Sequence, residues 1–362
     1  MLTLLLVAAA VSAVVGLYAH AVSAPVVEQP RRGYGVPPPD ARAESLLRRL
    51  PFFRDQELLE LIPKLAVCRP PSPWPRGMVE RALAQSGAGM QLRQQIWDRF
   101  AGYQELPTAL IHWHHGSRLR LNMGSELSHS LFVLGAFDPN EFAFLETFLQ
   151  PGMVFVDGGS HEGVYSLFAA LRTAPGGRVI AFEPSARERA SWQANMELNH
   201  CQATLIPAAL GQAEGEATLV VAQGQRSGHN TLGAFVWGGV QEAHRVRVPV
   251  RGLDHVAEEL ALTRLDLLKL DIEGAETAAL RGAVRVLREY RPTLLLEVSP
   301  RSLAAQGSSH DELLGLLDEL GYDLFSFDYW TGELIPGHSN PGGENLVARP
   351  RPITPGDPAR VA

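Results

Sequence analysis

The chain has 362 residues, 46% of them hydrophobic and 20% charged, which allows a sizeable buried core and excludes wholesale disorder. With 32 basic against 39 acidic residues the formal charge is -7, which argues against a nucleic-acid binder that gains affinity by neutralising phosphates. Cys68 and Cys201 are far apart and form no metal-spaced cluster, so neither a disulfide scaffold nor a structural zinc site is indicated.

The elements follow in chain order. Leu2 to Val22 carries no charged side chain, and an apolar run of about 20 helical residues is long enough to cross a bilayer core. A cleaved signal peptide is the rival, with Ala19-His20-Ala21 or Val22-Ser23-Ala24 as the small-residue site, and an over-long start is a third reading. The first basic residues, Arg31 and Arg32, follow the run, so the positive-inside bias favours an anchor with the rest of the chain in the cytoplasm. Five prolines, Pro25, Pro30, Pro37, Pro38 and Pro39, make residues 23–40 an extended spacer. Leucines interleaved with charges at 41–66, and a further pattern at 78–100 beyond the breaker Arg69 to Pro75, predict amphipathic helices. Residues 41–137 form a helical accessory region whose role is not legible. Within it, alternation would place His112 and His114 on one strand face. No further ligand sits at a suitable spacing, and no metal is assigned.

From Pro151 the texture changes. Met153 to Val156 is a continuous apolar run of the kind a buried parallel strand requires, followed by the turn Asp157-Gly158-Gly159-Ser160-His161-Glu162-Gly163 and a helical pattern. Arg178 to Phe182 is the next strand, with Glu183 at its end, where an acid can accept hydrogen bonds from the hydroxyls of an adenosine ribose. Ligands of open parallel sheets bind beyond the C-terminal strand ends, which is where Asp157 and Glu183 fall. An acidic, crowded turn suits a cationic sulfonium and ammonium and repels a pyrophosphate. Leu265 to Asp271 is a further strand feeding Ile272-Glu273-Gly274-Ala275-Glu276 and a helix, and Thr293 to Val298 another, ending in Glu297.

Together, Asp157 to Gly163, Ala181-Phe182-Glu183-Pro184 and Lys269 to Glu276 resemble the FkbM family of S-adenosylmethionine-dependent methyltransferases. Asn195, Asn199, Ala208-Ala209-Leu210-Gly211, Leu253-Asp254 and the closing Asn345-Leu346-Val347 add to the match, which covers about 138–350. Ser160 and His161 depart from the alanine and asparagine that members often carry there. The resemblance implies a Rossmann-like class I methyltransferase, a mostly parallel seven-stranded α/β sheet with helices on both faces, and O-methylation of a hydroxyl on a sugar, glycan, lipid or other small natural product. It implies S-adenosylmethionine as cofactor, bound by Asp157, Gly158, Gly159, Ser160, His161, Gly163, Glu183 and Ala209. Asp271, Glu273 and Glu297 are the candidate general bases, and Lys269 is a candidate to orient the acceptor or pair with an acid.

Residues 213–250 interrupt the alternation with a strand pair around the polar stretch Gly224 to Asn230, a candidate lid or acceptor loop in which Ser227, His229 and Asn230 are candidate substrate contacts. Trp237 and the aromatic run Phe325 to Trp330 can stack on a sugar or pack in a core. Residues 351–362 read as a disordered tail. Two other function classes compete with this reading. An NAD-linked oxidoreductase or epimerase would need a G-x-G-x-x-G turn and a Tyr-x-x-x-Lys pair, neither of which is present. A non-catalytic membrane-tethered nucleoside- or glycan-binding module would have no reason to keep acids at 157, 183, 271 and 273.

Overall fold

Strands β3 (Val154–Gly158), β4 (Arg178–Phe182), β5 (Thr204–Ile206), β9 (Leu267–Leu270) and β10 (Thr293–Glu297) pair in parallel, and the central ones are apolar along nearly their whole length because helices cover both faces. These strands come from a computed structural model that describes residues 41–65, 87–100, 107–123, 125–338 and 345–352. The apolar segment at 2–22, the proline spacer, the breaker at 69–75 and all but the first two residues of the tail lie outside the described residues. Among the described residues no helix is long and apolar enough to cross a membrane.

The sheet runs β12-β11-β13-β10-β9-β3-β4-β5, with β11 (Tyr322–Phe327), β12 (Leu334–Pro336) and β13 (Asn345–Pro350) making the antiparallel side. The count is eight, one more than the seven expected, because the chain folds back after β11 and adds the short β12 at the edge. Strand order reverses between β3 and β9: the chain proceeds outward through β4 and β5 and returns to the other side of β3. A crevice opens at such a reversal, beyond the carboxyl ends of the strands.

Period-two alternation sorts the side chains. Phe155, Val179, Leu267, Leu295 and Val347 point into one core cluster, and Val156, Ile180, Leu268, Leu270, Leu294 and Leu296 into the other. The second face is closed by helices of the domain itself, through Leu280, Leu287, Leu303, Leu313 and Leu317. The first face is closed largely by the region preceding the domain. Its helices α1 (Ala41–Arg49), α2 (Asp55–Leu65) and α3 (Gly87–Phe100) contribute Leu58, Ile62, Leu92, Ile96 and Phe100 to the cluster that holds Phe155 and Phe168. This stretch is not wholly helical. It contains the antiparallel hairpin of β1 (Thr108–His112) and β2 (Arg118–Asn122), followed by α4 (Glu126–His129), which runs into a π-helical turn, Ser130–Leu134. Strand β1 ends at His112, and His114 lies in a tight turn against Phe142 and Phe168 rather than on a strand face. Burial, with the nearby charge of His115 adding to it, pushes the His114 imidazole down to about 4.

Helices α5 (Pro139–Phe148), α6 (Val164–Thr173) and α7 (Ala186–Leu198) complete the first face. A separate three-stranded sheet carries β6 (Ala209–Leu210), β8 (Glu242–Arg251) and β7 (Gly215–Ala222), with β7 and β8 antiparallel as the strand pair at 213–250 predicts.

Candidate functional site

The turn after β3 is tied to the neighbouring strand ends. The amides of Gly159 and Ser160 both donate to the carbonyl of Phe182, and the amide of His161 donates to Glu183 Oε2 at 2.9 Å. The glycines are required here by the protein's own packing. A Cβ on Gly159, whose φ is +76°, would stand 1.9 Å from the carbonyl oxygen of Asp271, and one on Gly158 would stand 2.8 Å from the Leu270 side chain and 2.9 Å from Leu210. Gly163, at φ +87°, lies against the Trp192 ring. The turn therefore lets the β3 and β9 ends close on one another, in addition to leaving room for a ligand. Ala209 is buried on β6, next to Leu210.

Glu183 Oε1 accepts from the Ser185 amide at 2.8 Å, so each of its oxygens already holds one backbone donor. Burial nevertheless dominates and pushes the carboxyl up to about 7.

Asp157 and Lys269 are register partners on β3 and β9 and project to the same face. Asp157 is fully buried. Its Oδ2 accepts from Ser166 Oγ at 2.6 Å, while Oδ1 has no hydrogen-bond partner and lies 3.7 Å from Lys269 Nζ. Ser160 Oγ is likewise buried without a partner. The Lys269 ammonium lies 3.2 Å from Asp271 Oδ2 and 4.5 Å from the centre of the Tyr165 ring. Burial works against its charge, but Asp271 and Asp157 outweigh burial and hold its pKa above the ordinary lysine value. Tyr165 in turn donates to Asp138 Oδ2 at 2.8 Å. Asp138, an acid that sequence reasoning missed, precedes Pro139 at the start of α5 and adopts a left-handed φ of 41°. A proline at the first helical position marked that residue as a helix boundary, though nothing marked it as part of this cluster.

Asp271 and Glu297, at the ends of β9 and β10, form a hydrogen-bonded carboxyl pair. Burial and the surrounding acids, Asp271 first among them, push the Glu297 carboxyl well above the ordinary carboxyl range. For Asp271 burial also favours the neutral acid, yet Lys269 and the Glu297 hydrogen bond prevail and lower its pKa. Its side chain is 38% exposed, whereas that of Lys269 is 4% exposed. The two carboxyls are thus pushed in opposite directions, Asp271 toward the ionised form and Glu297 toward the neutral one.

Glu273 departs from this cluster. It adopts a left-handed φ of 53°, and its Oε1 lies 3.1 Å from His229 Nδ1 in the β7–β8 loop. Glu276 Oε1 accepts from the amides of Ile272 and Gly274, closing the turn, and burial pushes its carboxyl up to about 7. The structure therefore brings Asp157, Lys269, Asp271 and Glu297 together, and pairs Glu273 elsewhere. Among the described residues there is no group of three or more His, Cys, Asp or Glu able to hold a metal ion.

Residues 157–324 match the family model described as the methyltransferase FkbM domain. The chain is 29% identical over 244 residues to the AMB antimetabolite synthetase AmbE of Pseudomonas aeruginosa, a match covering 58% of this chain and 11% of that protein. It is 32% identical over 143 residues to Methyltransferase 1 of Beauveria bassiana, covering 35% of this chain and 57% of that one. The chain thus spans little more than half of one curated relative and about a tenth of the other. Among solved structures, the methyltransferase FkbM from Methylobacillus flagellatus aligns with 86% of this chain and 61% of its own, at 15% identity and a TM-score of 0.34. Over residues 157–324, a little under half of its length, this chain is thus similar to the FkbM family of methyltransferases, whose cofactor is S-adenosylmethionine.

Proposed function

We propose that the protein methylates a hydroxyl group of a small molecule or glycan, with Asp271 as the proton acceptor. The observation that carries this reading is the Asp271–Glu297 pair. Lys269 pushes Asp271 toward the ionised form, while burial and the neighbouring acids push Glu297 toward the neutral one, both at strand ends beside the topological reversal. The residues present fit the cofactor. Asp157 Oδ1 and Ser160 Oγ are buried polar atoms without hydrogen-bond partners, and the acids around Lys269 leave an excess of negative charge suited to a cationic ligand. Asp157, Ser160, His161 and the turn glycines would hold its methionine end, and Glu183 its ribose, with Ala209 beside them.

Bound S-adenosylmethionine supplies an electrophilic methyl group on a sulfonium. Asp271 receives the acceptor hydroxyl proton as the oxygen attacks, and Lys269 keeps that carboxylate ionised beforehand. The buried network around it fixes the approach of the acceptor, and alignment of this kind contributes up to about 7–11 kcal/mol in favourable systems. Attachment to a membrane through residues 2–22, with the catalytic domain on the cytoplasmic side, is part of the same proposal, supported by the uncharged run and the arginines that follow it.

Calorimetric titration tests cofactor choice: S-adenosylmethionine binds and NAD does not. Transfer of labelled methyl groups into small-glycan, lipid and polar-metabolite fractions then identifies the acceptor. With that acceptor, Asp271→Asn lowers kcat by roughly 10²–10⁴-fold while cofactor affinity stays within a few-fold. An Asp271→Asn enzyme of full activity would sink the assignment.

A further inference from the structure

The segment between β7 and β8 contains a short helical turn, Gly224–His229, that directs two basic side chains back toward the protein. Arg226 Nε lies 3.1 Å from Glu126 Oε1. His229 is bracketed more closely: its Nε2 is 3.1 Å from Glu126 Oε2, and its Nδ1 is 3.1 Å from Glu273 Oε1. A neutral imidazole has one N–H, and an ionised carboxylate only accepts. A ring with a carboxylate at each nitrogen satisfies both only as the imidazolium. The two acids come from distant parts of the chain, Glu126 from α4 ahead of the family-matching segment and Glu273 from the turn after β9. The anchorage on the Glu273 side is reinforced, since Thr231 Oγ1 and Gln306 Nε2 both donate to the Glu273 carbonyl.

We propose that His229 is a positioning residue which, as an imidazolium, clasps the β7–β8 loop onto Glu126 and Glu273 and so forms the wall of the crevice beside Asp271. Only the naming of that wall as the acceptor side rests on the methyl-transfer reading. The clasp assigns Glu273 a role other than proton acceptor, because its carboxylate is engaged by a cation two residues from Asp271. It also gives the region ahead of the domain a part in the site, through Glu126.

The charged groups facing the ring are Glu126 on α4 and Glu273 after β9, with Arg226 on its own loop sharing Glu126. Burial opposes the ring's charge, but the two carboxylates prevail and raise it to about 9. A group whose pKa is raised on folding contributes fully below its unfolded value, about 6.5, and loses that contribution as pH climbs through the folded value. The loop is therefore clasped at neutral pH and released as pH passes about 9.

Hydrogen exchange of the full chain, followed by mass spectrometry at pH 7.5, reads the clasp without any acceptor. In His229→Gln and Glu126→Gln, peptides spanning residues 222–233 should exchange at least tenfold faster, while peptides of β9 keep their protection and so report an intact fold. His229→Arg, which retains a two-pronged cation, should exchange more slowly than His229→Gln. Nitrogen-detected NMR of the wild-type ring should show both nitrogens protonated at pH 7.5 and loss of one proton near pH 9. Unchanged exchange in His229→Gln, no difference between the arginine and glutamine variants, or a singly protonated ring at pH 7.5 would each overturn the proposal. Cofactor titration of the same samples is an independent reading, so the clasp and the methyl-transfer assignment fail separately.

Discussion

Burial makes the Glu183 carboxyl pH-sensitive near neutrality, which gives the proposed ribose contact a testable pH dependence. Its carboxyl is pushed up to about 7 by burial, and on the proposed reading the ribose hydroxyls donate to its ionised form. Cofactor affinity should therefore rise as pH increases from 6 to 8. Glu183→Gln should flatten that dependence and weaken binding by about tenfold or more at pH 8, read as calorimetric Kd values. Gly159 makes a prediction about stability instead. With a positive φ and an Asp271 carbonyl where its Cβ would stand, Gly159→Ala should cost more than about 2 kcal/mol, seen as a lowered denaturation midpoint. The sequence made the position of this glycine legible, because a strand, a small-residue turn and a helix follow one another. Its chief reason was hidden, since the Asp271 carbonyl that crowds it lies more than a hundred residues downstream. What distinguishes Glu273 was hidden for a similar reason: both it and Asp271 stand out in the Lys-x-Asp-x-Glu segment as candidate bases, and only the fold shows that Glu273 pairs with His229 and Asp271 with Lys269.

At the scale of elements, α7 holds the accessory hairpin by two asparagines one helical turn apart. Asn195 Oδ1 accepts from the Arg120 amide at 2.9 Å and its Nδ2 donates to the Glu162 carbonyl at 2.9 Å. Asn199 accepts from the Arg118 amide at 2.8 Å and donates to the Arg118 carbonyl at 2.7 Å. Helix side chains thus occupy main-chain groups of β2 that a further strand would otherwise pair, which blunts an open sheet edge. Asn195→Leu leaves a strand amide and a turn carbonyl without partners, so a loss of about 1–3 kcal/mol is expected in chemical denaturation. The strands themselves were legible from apolar runs bounded by turns, and the asparagines from their family pattern. What the two asparagines hold was not, because contacts between elements some 75–81 residues apart leave no local periodicity. The β12 strand escaped notice for another reason: Leu334–Pro336 is three residues long and has no alternation to read.

Across the whole molecule, the boundary drawn at residue 138 in the sequence is crossed by a single core. Leu58, Ile62, Leu92 and Phe100 bury against the same cluster as Phe155 and Leu295, so residues 138–352 alone would expose one face of the sheet. A fragment beginning at 138 should lose cooperative thermal unfolding and bind a hydrophobic dye, whereas the chain from residue 39 onward should melt in one transition. The accessory helices carried no functional motif, and their amphipathic spacing predicted only that they bury one side against something. The order of the strands has a consequence for how the protein is made. β13, at residues 345–350, inserts between β10 and β11 rather than joining an edge, and Asn345 bonds Glu141 across 204 positions. A nascent chain on the ribosome therefore has no strand to set between β10 and β11 until residues 345–350 emerge. Assembly of the sheet must wait for β13, and the unpaired edges of that interval are where a chaperone would be expected to act.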